Sequence, residues 1–236
     1  MYHRIGRPAP QARIKGLCIS PGLMRRQFAY LARAGYQVVP LDAVLGFVAG
    51  GPLPAPRPIA ITFDDGYRSV YEHAFPALVE RGFPATVFVV VDGIGATDWW
   101  EQATGDVAEP MLDRAQMREM AAHGIAFGSH TCSHAHLPAL APAQAQREIA
   151  DSRTRLEEVL GEAVTLFAYP YGEYDPAVRD AVEASGYRGA CSTCKGVNRP
   201  GEDPYLLRRV NVRRWTYLPI LRRKLARAHR LAEGVR

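Results

Sequence analysis

The chain has 236 residues, a net charge of +5, four cysteines and a hydrophobic fraction of 47%. That length and apolar content suffice for one large α/β domain or two small ones. The cysteines are too few for a disulfide scaffold, and no apolar run approaches the ~18 residues that a membrane span needs.

In chain order, "MYHRI" (1–5) reads as the tail of a strand. "MYHRIGRPAPQ" lacks the apolar core of a secretory signal, so the sequence as written reads as cytoplasmic, and as exported only if its N-terminus is truncated. "LMRRQFAYLARAG" (23–35) is helical, with apolar Leu23, Phe28 and Leu31 and a glycine stop. "YQVVPL" (36–41) is a short strand, and the Pro/Gly-rich 49–58 is a loop. "PIAITF" (58–63) is apolar throughout, as strands covered on both faces are. "SVYEHAFPALVERG" (69–82) predicts a helix kinked or delayed by Pro76. The β-branched "ATVFVVV" (85–91) predicts a strand, followed by helix over 114–124, strand over 125–129 and a long helix over 141–161. Strand "VTLFAYP" (164–170), helix 175–186, strand "YRGACS" (187–192) and strand "LLRRVNV" (206–212) come next. From Trp215 onward the chain reads as a basic helix, whose arginines are either a solvated face or a peripheral contact with an anionic membrane; nucleic acid is not an expected partner.

Repeated strand–helix alternation predicts a parallel sheet, either a β/α barrel or an open doubly wound sheet. In both, ligands gather where strands end. Polar groups do follow these strands: Asp64 and Asp65 after "IAITF", then His130, His134 and His136 after "IAFGS", then Tyr169, Pro170 and Tyr171 after "TLFA". If the chain turns helical after 129, His130 and His134 point to one side with Cβ atoms about 5–6 Å apart. Two imidazoles and one carboxylate form a three-ligand shell for a catalytic metal with a position left for water. The second carboxylate is then available as the base that takes the water's proton. Gly66 permits a tight, left-handed turn, and Thr62 is placed to hydrogen-bond one carboxylate. Alone, "DDG" is also what a turn at a strand end looks like, and His-x-x-x-His also occurs as surface histidines; it is their conjunction that argues for a site. Cys191 and Cys194 form a C-x-x-C without partner ligands and read as incidental.

At these residues the sequence resembles the polysaccharide deacetylase family, whose members carry the NodB homology domain (carbohydrate esterase family 4). "TFDDG" (62–66) matches its first motif, "HTCSH" (130–134) its second, and "AYPYG" (168–172) its third in part. The resemblance implies a distorted (β/α) barrel of about seven parallel strands and a single catalytic domain over 1–236, with the basic helix at about 215–236. It implies a metal-dependent hydrolase that removes acetyl groups from an N-acetylated amino sugar or polysaccharide. Carried over by residue, Asp64 is the base, Asp65, His130 and His134 are the ligands of one divalent ion (zinc, or cobalt, nickel or iron), and the Tyr171 N–H helps to hold the oxyanion.

Two departures stand out. An arginine that orients the base in many members is replaced by Ala168, and the fifth-motif histidine, the general acid, is missing from "LLRRVNVRRW". His3 is the positional candidate for the acid, with packing as the other reading. Trp99 and Trp100, in "ATDWWEQ", reach the same rim and, with Tyr169 and Pro170, are candidates for sugar contact; loop tryptophans also pack under lids. A glycan-binding homologue without turnover, and an amidase cleaving another C–N bond, are the competing functions.

Overall fold

A computed structural model describes residues 1–102 and 105–232. In chain order the elements are β1 (Arg4–Ile5), β2 (Cys18–Ile19), α1 (Pro21–Arg33), β3 (Gln37–Val38), α2 (Leu41–Val48), β4 (Pro58–Ile59) and β5 (Thr62–Phe63). Then come α3 (Phe75–Val79), β6 (Ala85–Val89), α4 (Trp99–Gln102), α5 (Arg114–Ala122), β7 (Ile125–Ser129), α6 (Pro142–Leu160) and β8 (Leu166–Ala168). The chain continues with α7 (Pro176–Ala184), β9 (Gly189–Lys195), β10 (Leu207–Arg209) and α8 (Leu218–Ala232). The basic helix thus starts after Trp215–Tyr217, and the last four positions expected in it lie outside the described residues.

The main sheet runs β10-β9-β8-β7-β6-β5, all parallel. It curls until its ends meet across the start of the chain. On one side Tyr2 N–H donates to the Thr62 carbonyl at 2.8 Å and Asp64 N–H to the Tyr2 carbonyl at 3.0 Å. On the other, Val212 N–H donates to the Met1 carbonyl at 3.0 Å, and the Met1 nitrogen donates to the Val210 carbonyl. Residues 1–2 are therefore the seventh stave of a distorted barrel, as the sequence resemblance implies. "PIAITF" splits: β4 pairs with β3 in a side sheet, and only β5 joins the barrel.

Alternation along β6 sorts the core into two layers. Phe88 points inward and packs with Leu166, Ala168, Cys191 and Leu207, and α2 plugs this interior with Leu41, Leu45 and Val48. Val87 and Val89 point outward, into the layer shared with the helices. The interior is tight: a Cβ on Gly128 would lie 2.6 Å from the Phe88 ring.

The segment around Pro76 is neither a simple kink nor a late start. Pro76 has no N–H to give to the preceding turn, and that turn, Val70–Ala74, widens to a π-helix in which Phe75 N–H reaches the Val70 carbonyl. α3 then starts with the proline in its first turn. Among the described residues no helix is long and apolar enough to cross a membrane.

Candidate active site

Asp64 and Asp65 leave β5 with their carboxylates separated by backbone twist. Asp65 has φ 74° and Gly66 φ 86°, two successive left-handed residues. For Asp65 this costs about 1–3 kcal/mol of strain, and it turns the two carboxylates to different neighbours. Both are almost fully buried.

Asp64 faces Arg209, at the end of β10. The guanidinium grips it with two bonds, Nη1 to Oδ1 at 2.7 Å and Nη2 to Oδ2 at 2.8 Å. Arg209 is itself fixed: Nε donates to the Ser192 carbonyl at 2.9 Å, and Nη1 also reaches Thr62 Oγ1 at 3.3 Å. Thr62 thus holds the arginine rather than a carboxylate. His3, next to the stave formed by residues 1–2, brings Nε2 to 4.0 Å from Asp64 Oδ2. Burial raises the Asp64 pKa, but the Arg209 charge, with His3 and His130, more than offsets this and leaves it below the ordinary value. Burial lowers that of His3.

Asp65 faces the two histidines. His130 Nε2 and His134 Nε2 lie 3.3 and 3.5 Å from its Oδ1. Burial opposes ionisation of Asp65, yet hydrogen bonding to His130 and His134 holds its pKa well below the usual carboxylate range. Burial lowers the pKa of His134. The convergence does not come from a helical turn. Residues 130–136 form an irregular loop, with Thr131 at φ 68° and His134 at φ 60°. The loop is braced from three sides. Thr131 Oγ1 accepts the His134 N–H at 3.0 Å, and His130 Nδ1 meets the Ala168 carbonyl at 2.7 Å. Glu148 of α6 accepts both the N–H and the hydroxyl of Ser133, at 2.9 and 2.7 Å. Ser133 thus tethers the loop to α6.

This trio fits a divalent cation. One ligand atom from each of Asp65, His130 and His134 lies within 4.8 Å of the others, all three residues buried. With His130 Nδ1–H donating to the Ala168 carbonyl, Nε2 carries a lone pair aimed at a carboxylate oxygen. Such an approach is repulsive unless a proton or a cation lies between, and Asp/His/His is a zinc donor set.

The aromatic candidates separate. Tyr169 is a core residue, 1% exposed, and Pro170 is buried too, so neither offers a surface to a sugar. Trp100 is buried and stacks on His134 with ring centroids 5.0 Å apart, acting as a backstop for that imidazole. Trp99 is exposed beside it. Tyr171, in a tight turn with φ 58°, is exposed; its ring meets His134 edge-on at 4.5 Å and stacks on His136 at 3.9 Å. The start of α4, which bears the tryptophans, is anchored by buried Asp98, which accepts from Arg4 Nη2 at 3.0 Å.

Arg209 is the site residue that sequence reasoning missed. The signal was the alternation of a strand: with Leu207 pointing inward, Arg209 points inward as well, and a buried arginine at a strand end calls for a carboxylate. Cys191 and Cys194 are both free thiols; Cys191 is buried on β9, which pushes its pKa up to about 11.

Comparison with known proteins agrees with this geometry. The polysaccharide deacetylase family model matches residues 53–190. The Bacillus subtilis protein YxkH, assigned to the polysaccharide deacetylases, is 35% identical over 179 residues, covering 75% of this chain and 60% of YxkH, so the chain spans less than two thirds of that relative. The poly-beta-1,6-N-acetyl-D-glucosamine N-deacetylase of Staphylococcus epidermidis is 24% identical over 233 residues, covering 89% of this chain and 77% of that one. Among solved structures, the Streptococcus pyogenes deacetylase PplD in complex with acetate superposes with a TM-score of 0.82 at 25% identity, over 95% of this chain and 96% of that one. A buried carboxylate pair and two histidines at the rim of a seven-stave barrel, matched by the family model across more than half of the sequence, make this chain a member of the polysaccharide deacetylase family.

Proposed function

We propose that the protein hydrolyses the N-acetyl group of an amino-sugar polymer, of the kind that the staphylococcal relative is named for. One observation carries this reading: a buried carboxylate, Asp64, is held ionised beside the Asp65–His130–His134 trio without belonging to it. A protein that only bound glycan would have no use for that spare base.

A divalent cation held by Asp65, His130 and His134 would supply Lewis acidity and lower the pKa of water at the site. Asp64 accepts the proton of the attacking water on its carboxylate, and Arg209 keeps that carboxylate ionised and fixed in rotation. The Tyr171 ring lies beside His134, and the N–H of the same residue stabilises charge developing on the acetyl oxygen. As the C–N bond breaks, acetate leaves, and the departing nitrogen takes a proton from His3 Nε2, which lies 4.0 Å from the Asp64 carboxylate. Trp99, the exposed indole, provides a face for a sugar ring. Tyr169, Pro170 and Trp100 support the site from beneath.

The test is acetate release from poly-β-1,6-linked and β-1,4-linked N-acetylglucosamine oligomers, with zinc, cobalt, nickel or iron supplied separately. Activity is expected to need one of these ions and to fall about 10²–10⁴-fold in Asp64→Asn. Full activity in both Asp64→Asn and His130→Ala would overturn the roles. Glycan binding without acetate release would favour the binding homologue, and turnover of non-sugar amides alone would favour the amidase.

A further inference from the structure

Between Asp203 and Glu233 the chain has nine basic residues and no acidic one. One of the nine, Arg209, is consumed by Asp64. Five others, Arg213, Arg214, Arg222, Arg223 and Arg227, are exposed on α8 or just before it. α8 turns Leu221, Leu225 and Ala228 into the body of the protein, which leaves Arg222, Arg223 and Arg227 on its exposed side. At its start, Arg213 and Arg214 are exposed, and Trp215 and Tyr217 stand 54% and 57% exposed on either side of buried Thr216. This segment is not a loose end. Gln27 donates to the Thr216 carbonyl at 2.6 Å, Arg214 N–H donates to the Gly16 carbonyl at 2.9 Å, and a Cβ on Gly16 would lie 3.2 Å from the Trp215 ring.

Several surface arginines elsewhere are paired with carboxylates: Arg25 with Glu80, Arg153 with Glu157, Arg155 with Asp92 and Arg179 with Asp203. Among the described residues, none of Arg213, Arg214, Arg222, Arg223 and Arg227 forms an ion pair. Arg223 and Arg227 are also like charges one turn apart, which costs the helix stability. Arg222 rests over the Tyr30 ring at 5.4 Å, but a rigid set of arginines without paired carboxylates, next to two exposed aromatics, is poorly explained by folding alone.

We propose that this face docks the protein on an anionic lipid bilayer. The arginines meet headgroup phosphates, and Trp215 and Tyr217 enter the boundary between headgroups and acyl chains, where amphipathic rings concentrate. The surface is the outer ridge of a packed helix, suited to a plane. It is not a groove lined with successive aromatics, as single-stranded nucleic acid requires. The inference stands apart from the hydrolase reading, since lipid binding needs no turnover.

The experiment is co-sedimentation of the intact protein with vesicles of phosphatidylcholine alone or enriched in phosphatidylglycerol. Binding is expected only to the anionic vesicles and is expected to weaken as salt shortens the screening length from ~10 Å at 0.1 M to ~3 Å at 1 M. Arg222→Gln and Arg223→Gln should each lower the partition coefficient about five-fold. The double substitution Trp215→Ala, Tyr217→Ala should weaken binding at unchanged charge. Unaltered thermal unfolding of each variant confirms that the fold is intact. No sedimentation with anionic vesicles at low salt would overturn the proposal. So would indifference to the aromatic substitutions combined with equal affinity for duplex DNA, which would make the face a general polyanion surface.

Discussion

At the scale of single residues, the pairing of Asp64 with Arg209 decides how the site titrates. Burial alone would favour the protonated acid, and Arg209 reverses that preference. Replacing Arg209 by Met therefore lets the Asp64 pKa rise. A base works only when ionised, so the acid limb of the pH–rate profile should move to higher pH, and Arg209→Lys should restore part of the shift. Stability follows the same sign. In the native protein the depressed pKa contributes stability above the ordinary carboxylate value, and this is lost as pH falls through the folded one. In Arg209→Met an unpaired buried charge costs about 3–5 kcal/mol. That penalty should shrink in acid, where Asp64 is neutral, and denaturant unfolding at two pH values measures it. Asp64, Asp65, His130 and His134 were legible in the sequence because their residue types carry chemistry wherever they lie. Arg209 was not, since arginines crowd that stretch and only a strand register tells the inward one from Arg208. Tyr169 misled for the converse reason: a tyrosine at a strand end looks like a rim residue, whereas the sheet buries it.

At the scale of elements, α2 and β2 were not foreseen and "PIAITF" divided between two sheets, but the central strands and the long helices followed their hydrophobic periods, because those periods are set by burial on two faces or on one. The loops did not. The spacing of His130 and His134 suggested a helical turn, yet the two imidazoles are brought together by left-handed residues at 131 and 134 and by a tether from α6. No local propensity announces such a conformation, because tertiary hydrogen bonds impose it. The tether gives a prediction. Glu148→Gln keeps its size but loses the charge that receives both Ser133 donors, and Glu148→Ala loses the acceptor altogether. Zinc affinity measured by calorimetry should fall about 10–100-fold in the alanine variant and less in the glutamine one, with α6 helicity unchanged in both.

For the whole molecule, closure of the barrel is the central fact. Tyr2 packs between Phe28 and Phe63 with ring centroids at 5.9 and 5.4 Å, and its hydroxyl donates to Gln27 at 2.9 Å. Tyr2→Ala should cost about 3–5 kcal/mol in denaturant unfolding. It should also lower activity in the surviving folded fraction, because His3 adjoins the same stave. The barrel class was legible from alternating strands and helices, but its closure was not, since nothing in "MYHRI" says which edge it will join. Where the staves meet has a consequence for the order of events during synthesis. The opening residues find one neighbour near position 63 and the other only at 210–212. They therefore stay unpaired along one edge until the segment around 210–212 has been made. The histidine and the arginine that flank the base thus come from stretches far apart along the chain, and hydrolytic competence should arrive in one late step, after most of the hydrophobic interior has already formed.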